Sequence, residues 1–126
     1  MTVEEALKTH LQSHSAIAAL VGTRITPLPV PEGTDKPAIT YQVVGDELQT
    51  DLDGLDGEMN KVRVQIDCWS KNHEQVKALA ELVRIRMQAS GTSIKRSVPL
   101  NALEDYENRT KLHRMSRDYS CWYRIT

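Results

Sequence analysis

The sequence predicts an α+β domain in which a mainly antiparallel sheet of about four strands carries two helices packed on one face. Three observations predict this class. Two segments repeat apolar residues at helical spacing, and at least three segments alternate apolar with polar residues. The length of 126 residues suits one domain, and no repeat or linker divides residues 1–126. The predicted order is α-β-β-α-β-β.

The first predicted helix begins at Thr2, whose hydroxyl can cap the Glu5 amide in a capping box. Residues 13–15 can interrupt this helix, in which case Ser15 caps a second short helix, and Gly22 is expected to end it. The apolar positions that share one face are Val3, Leu7, Leu11, Ile17, Ala18 and Val21.

A proline-rich connection follows at 26–37, and its prolines exclude a central strand there. Residues 38–44 and 61–69 alternate as two strands of a hairpin. Between them, a mobile acidic loop is predicted at about 45–58, with two Asp-Gly turn dipeptides and no basic residue. Its acidic side chains are Asp46, Glu47, Asp51, Asp53, Asp56 and Glu58.

The last third of the chain begins with a helix that Asn72 caps, with Gln75 three residues on and Gly91 after its end. Residues 94–100 favour a short strand, 104–109 a polar loop, and 115–125 a closing strand. The residues expected to be buried between sheet and helix are Val62, Val64, Ile66, Leu79, Val83, Cys121 and Tyr123.

Composition excludes several classes of protein. Two cysteines argue against a disulfide-dense secreted scaffold, and no apolar run approaches the roughly 20 residues of a membrane span. The first ten residues are acidic and polar, unlike a signal peptide, so we expect synthesis in a reducing cytoplasm. Residues 1–83 have a net charge of −6 and residues 84–126 one of +5, which either lets copies attract head to tail or reflects scattered surface charge.

Candidate sites for metals fail on spacing. The segment from Asp51 resembles a calcium loop, but the later ligand positions hold Leu55, Asp56 and Val62 instead of the required residue types. Four residues offer zinc-ligand chemistry without the closely spaced pairs that structural zinc needs; they are Cys68, Cys121, His73 and His113. The cysteines are therefore predicted to be buried and metal-free.

Catalytic and nucleic-acid sites are also not indicated. Asp67 and Asp118 can act as a carboxylate pair only if their strands are adjacent and in register; the alternative is ion pairing with Arg63 or Arg124. The basic segments 95–96 and 109–114 have only one aromatic residue nearby, where single-strand binders interleave several. We expect no enzyme activity and no cofactor.

Trp69 and Trp122 lie on the charged faces of their predicted strands. Tryptophan is common at the centre of protein interfaces, so both are candidate interface residues. Packing beneath loops as a secondary core is the alternative.

Three segments resemble the tail completion family of long-tailed bacteriophages, which includes head-to-tail joining and tail terminator proteins. They are residues 37–44, residues 62–70 running into the helix at 74–87, and residues 117–124. The run Val-Gln-Ile-Asp-Cys-Trp at 64–69 is the most specific part.

The resemblance implies a non-enzymatic structural protein, made in the host cytoplasm and then part of the virion tail or neck. Family members cap the tail tube as a ring, commonly a hexamer, and help join tail to head. The implied partners are other copies, tail tube proteins and connector proteins, with DNA only passing through the channel. The acidic loop would lie toward that channel or meet the neighbouring ring. The alternative is a generic assembly module without a phage role.

Overall fold

The computed structural model describes residues 2–28, 37–47, 59–91 and 94–124. These residues form three helices and five strands. In chain order they are α1 (Val3–Gln12), α2 (Ser15–Val21), β1 (Ile25–Pro27), β2 (Ala38–Glu47), β3 (Met59–Ser70), α3 (His73–Gln88), β4 (Ile94–Glu107) and β5 (Leu112–Arg124).

The sheet has the order β1-β2-β3-β5-β4. All its pairings are antiparallel except that of β1 with β2, which is parallel. The predicted α+β class is confirmed, but the count of about four strands and two helices is wrong. The short strand β1 escaped prediction because it has three residues, too few for an alternating pattern, and ends at Pro27.

The first helical segment breaks where the sequence suggested. Thr2 Oγ1 accepts a hydrogen bond from the Glu5 amide at 3.2 Å, which confirms the cap. The Ser13 hydroxyl donates to the His10 carbonyl oxygen at 2.7 Å and closes α1. The residue before α2 is His14, which makes no side-chain cap hydrogen bond, so the prediction that Ser15 caps α2 is wrong. Gly22 ends α2 with φ of 55°, a conformation that glycine adopts easily.

Helix α3 agrees with its sequence signals. Asn72 Oδ1 accepts from the Gln75 amide at 3.1 Å, the expected N-cap. The buried stripe of the helix is Val76, Leu79, Val83 and Met87. This stripe packs in the same apolar cluster as the inward side chains of β3 and β5. All seven residues that were expected between sheet and helix are at most 7% exposed.

Two sequence predictions around the strands were wrong in extent. β2 continues through Gly45 to Glu47, and β3 begins at Met59, so the acidic connection is shorter than predicted. β4 continues through the segment predicted as a polar loop and pairs with β5 as far as Glu107 opposite Leu112. Every residue of 100–111 is exposed. Because neither face of this segment is buried, its sequence lacks the alternation of apolar and polar residues that would predict a strand.

A polar contact joins α1 to α3 inside the helical layer. His10 is only 4% exposed, and its Nε2 donates to the Arg86 carbonyl oxygen at 2.9 Å. Arg86 returns two contacts, from Nε to the His10 carbonyl oxygen at 2.7 Å and from Nη2 to His10 Nδ1 at 3.2 Å. Because Nδ1 accepts, the ring is neutral in this arrangement. Burial lowers the pKa of His10 below its ordinary value, and the Arg86 charge acts in the same direction.

This contact predicts a loss of stability in mild acid. A histidine whose pKa is lowered by folding binds fewer protons in the native state, so its stabilisation is present above the unfolded pKa of about 6.5 and is lost as pH falls below it. The free energy of unfolding should therefore fall between pH 7.5 and 5.5, roughly. Urea unfolding across that range measures it.

The matched control is His10→Gln, which does not titrate there. Hydrogen bonds with His73 and Arg84 lower the pKa values of Glu104 and Glu81, so those carboxylates lose their stabilisation only at more acidic pH. We expect a flatter pH dependence for His10→Gln. An equally steep fall in both proteins would contradict the assignment to His10.

Candidate assembly surface

The sheet face opposite the helices is polar and charged in the described residues. It is called the open face below. Register fixes its members: Trp122 is opposite Lys61 on β3 and Arg96 on β4, and Trp69 is opposite Arg114 on β5. Both tryptophans predicted as interface residues therefore lie on this face, at different ends of β3 and β5.

Trp122 lies beneath two cations. Lys61 Nζ and the Arg96 guanidinium are each 5.1 Å from its ring centroid, within the range of cation–π attraction. The neighbouring strands supply these cations directly across from the ring. This end of the open face thus presents a half-buried aromatic ring among positive charges.

Trp69 is held more tightly. Its Nε1 donates to Thr40 Oγ1 at 2.9 Å, and the Arg114 guanidinium lies 5.6 Å from the ring centroid. The hydrogen bond ties β3 to β2, so this indole has a structural role in addition to any contact it offers. Both tryptophans are partly exposed, and both the interface prediction and the alternative of packing beneath loops stay untested.

Charged groups fill the middle of the open face in pairs. Arg63 Nη2 donates to Asp118 Oδ2 at 2.7 Å, one of the ion pairs that the sequence offered as an alternative to catalysis. Asp67 is 1% exposed and accepts from Gln65 Nε2 at 3.2 and 3.3 Å. Arg114 lies 3.9 Å from Asp67 and 3.2 Å from Asp105.

The two aspartates do not form a catalytic pair. β3 and β5 are adjacent, but Asp67 is opposite Ser116, and Asp118 is opposite Gln65. The carboxylates are thus offset by two residues and each has its own cation. The sequence made an acid–base pair conditional on adjacent strands in register, and the two carboxyl groups are not in register.

The two cysteines are buried and separate. Cys68 is opposite Met115 on β5, whereas Cys121 is opposite Val62 on β3. The two cysteines are therefore six positions apart along the strands, or about 20 Å. They share no disulfide and are too far apart to ligate one ion. Burial raises the pKa of Cys121 to about 11 and raises that of Cys68 well above its ordinary value.

This burial predicts thiol behaviour. Because thiolates are the reactive form, native protein should not react with an aromatic disulfide reagent at slightly alkaline pH. Both thiols should react after urea unfolding, which a chromogenic assay counts. Rapid reaction of one thiol in the folded protein would show that the interior opens near that cysteine.

A group of titratable side chains gathers where α3 begins, and the sequence named His73 and His113 only as separate zinc-ligand candidates. His73 contacts Glu104 of β4, and Lys77 lies 4.0 Å from the same carboxylate. The rings of His73 and His113 are 5.3 Å apart, and Tyr106 lies 4.6 Å from His113. The sequence did not predict this cluster, because Glu104 and Tyr106 belong to the segment that was expected to be a polar loop. Across the described ranges, no three His, Cys, Asp or Glu side chains gather as a metal site.

The acidic candidates divide into two sets. Asp46 and Glu47 belong to β2, opposite Val62 and Lys61, so they are strand residues and not part of a loop. The prediction of a loop from residue 45 is wrong because β2 and β3 stay paired beyond the last apolar position. The other four lie outside the described residues: Asp51, Asp53, Asp56 and Glu58.

A family model described as Tail completion protein gp17 matches residues 5–124, almost the whole chain. The chain belongs to this tail completion family. No curated protein sequence matches the chain. Among solved structures, a chain from the virion of a native gene transfer agent particle has a TM-score of 0.70 at 16% identity. That match covers 98% of this chain and 95% of the other, and at this identity it shows the fold.

Family membership identifies the chain as a structural component of phage-like virions, and confirms the resemblance that its strands indicated. It points to a non-enzymatic protein that assembles with other tail or head proteins. In the part of the chain that the structure describes, no helix has the length and apolarity to cross a membrane.

Proposed function

We propose that this tail completion protein closes the finished tail as a ring and joins the tail to the head. The resemblance to family members implies that the ring is a hexamer. Family membership over residues 5–124 carries the proposal. The paired charges of the open face and its two half-buried tryptophans support a role in protein contact. The same membership favours this function over a generic assembly module outside phage.

Electron microscopy of particles produced without the protein tests the proposal. Tails of uncontrolled length would identify a terminator of tail growth. Finished tails detached from filled heads would identify a joiner. Normal numbers of complete, infectious particles would contradict both roles. Restoring the gene in trans controls for effects on neighbouring genes.

The open face is proposed as the surface that meets neighbouring virion proteins. Trp122 makes the sharper test, because the Trp69 indole also donates a hydrogen bond to Thr40 Oγ1 that helps to hold β3 against β2. We expect Trp122→Ala to fold, shown by its melting temperature, and to enter particles poorly. The matched control is Ile85→Ala, since Ile85 is 48% exposed on α3, away from the open face. Equal incorporation of the two variants would remove Trp122 from the interface.

We further propose that the acidic loop faces the DNA channel or the neighbouring ring. In the channel, its negative charge would repel the phosphates of the passing DNA. Its mobility, expected from sequence, stays a prediction. The test replaces four carboxylates with amides: Asp51, Asp53, Asp56 and Glu58. Slower DNA release from otherwise complete particles is expected. The control replaces Glu4, Glu5 and Glu74 of the helices in the same way. Unchanged release from the loop variant would contradict a channel position.

A further inference from the structure

The outer edge of β4 is the longest unpaired strand edge in the described part of the chain. β4 spans 14 residues and lies at the end of the sheet, with β5 on one side only. The opposite edge is β1, which has three residues and ends at Pro27. Unpaired edges carry free backbone donors and acceptors that pair readily with another strand.

β4 also exposes apolar side chains along this edge. Three of the six large hydrophobic residues that are exposed in the described ranges belong to β4; Leu100 is 39%, Leu103 60% and Tyr106 46% exposed. Charged side chains, lysine above all, and also proline and bulges usually protect an edge. In β4, Lys95 and a register shift between Ile94 and Arg96 lie near the beginning, and Pro99 and a register shift up to Ala102 interrupt the middle. Residues 102–107 contain acidic side chains but neither lysine nor proline.

The two ends of β4 carry opposite charges. Lys95 and Arg96 lie near its beginning, and Glu104, Asp105 and Glu107 near its end. An antiparallel pair of identical strands brings the beginning of one strand against the end of the other. Unlike charges then meet at both ends of the contact, which is the complementarity that stabilises cross-strand pairs.

We propose that, in the free protein, two copies pair their β4 edges antiparallel across a twofold axis, with Arg96 of each copy opposite Asp105 of the other. The register follows from which face each residue occupies. Arg96 is opposite Trp122, and Asp105 is opposite Arg114, so both lie on the open face. Directly opposed residues share a face in an antiparallel sheet.

The same register satisfies the apolar positions. It places Val98 of one copy opposite Leu103 of the other, and both lie on the open face, opposite Ser120 and Ser116 of β5. If only residues 102–107 of the two strands paired, Glu104 of one copy would lie against Glu104 of the other, which is unfavourable because like charges repel. The interruption between Pro99 and Ala102 lies at the twofold axis, leaving a short paired segment on each side.

This contact goes beyond the proposed ring and does not depend on it. A twofold contact uses the same patch on both copies and is complete at two, whereas a ring needs head-to-tail contacts. The paired β4 edges are placed in the free protein, before assembly. The β4 pair is tested on the free protein, and the proposed ring is tested on virus particles, so the failure of one can be told from the failure of the other.

Mixing two single-cysteine variants tests the register. Directly opposed Cα atoms lie about 4.5–5.5 Å apart, within disulfide range. Val98→Cys and Leu103→Cys, mixed and mildly oxidised, should form a disulfide-linked pair on a non-reducing gel, while neither should do so alone. Cys68 and Cys121 are buried and provide no background. Val44→Cys mixed with Leu103→Cys is the control. A monomeric mass by sedimentation at all concentrations, or no disulfide specific to the mixture, overturns the proposal.

A charge exchange gives an independent test. Arg96 and Asp105 are nine residues apart on one strand, about 30 Å, so they cannot interact within a copy. Arg96→Asp or Asp105→Arg alone should weaken dimerisation about tenfold, since each change affects two symmetric pairs. The double variant should recover most of that loss. Absence of recovery, with both singles folded by circular dichroism, contradicts this register. Association into larger species without the 98–103 disulfide would favour ring contacts and overturn the β4 pair.

Discussion

Replacing Leu79 with alanine should lower the free energy of unfolding by about 2–5 kcal/mol. Leu79 is fully buried on the stripe by which α3 packs into the core. The loss has two parts: the transfer free energy of the removed atoms and the cost of the cavity that remains. Leu79 shares one buried cluster with side chains of α1, α2 and the sheet, and such close-packed neighbours relax only partially into the space that is left.

Urea unfolding followed by circular dichroism measures the change. Ile85→Ala is the matched control, because Ile85 lies on the same helix and is 48% exposed. Alanine favours helix, so this control should change stability by no more than about 0.5 kcal/mol. Similar losses for the two variants would mean that α3 does not pack on the sheet by its Val76–Met87 stripe.

The second large effect is expected at Gly91, just beyond α3. A methyl group there would lie 2.8 Å from Cε1 of His10 and closer still to Nδ1. His10 cannot move aside easily, because it is buried and hydrogen-bonded to Arg86. Gly91→Ala should therefore cost about 1–3 kcal/mol by overpacking, more than the roughly 0.4–1 kcal/mol that alanine gains by restricting the unfolded chain.

A double-mutant cycle separates this clash from backbone effects. In a His10→Ala background the obstructing ring is absent, so Gly91→Ala should cost little. Gly45→Ala is the matched glycine control, since its nearest neighbour would be Arg63 Cβ at 3.8 Å, an ordinary contact. If Gly91→Ala destabilises the protein equally with and without His10, the contact between α1 and the end of α3 is not the cause.

The candidate surface was only partly accessible to sequence reasoning. The alternation of β3 placed Trp69 with Arg63 and Asp67 on one face, and the structure confirms it. Which cation lies over each tryptophan depended on the register between strands distant in the chain. The buried state of Asp67 was also not predictable, because Gln65 and Arg114 surround it only after the sheet forms.

The sequence by itself determined the fold class, the caps at Thr2 and Asn72, the core stripe of α3 and the resemblance to the tail completion family. These features depend on residues near one another in the chain. Burial imposes the apolar periodicity, and each cap is a hydrogen bond between residues three apart. Only the tertiary structure decided the parallel pairing of β1, the continuation of β4 to Glu107 and the contact of His10 with Arg86. Each of these is held by backbone or polar contacts between distant segments, and such contacts leave no repeating apolar pattern in the sequence.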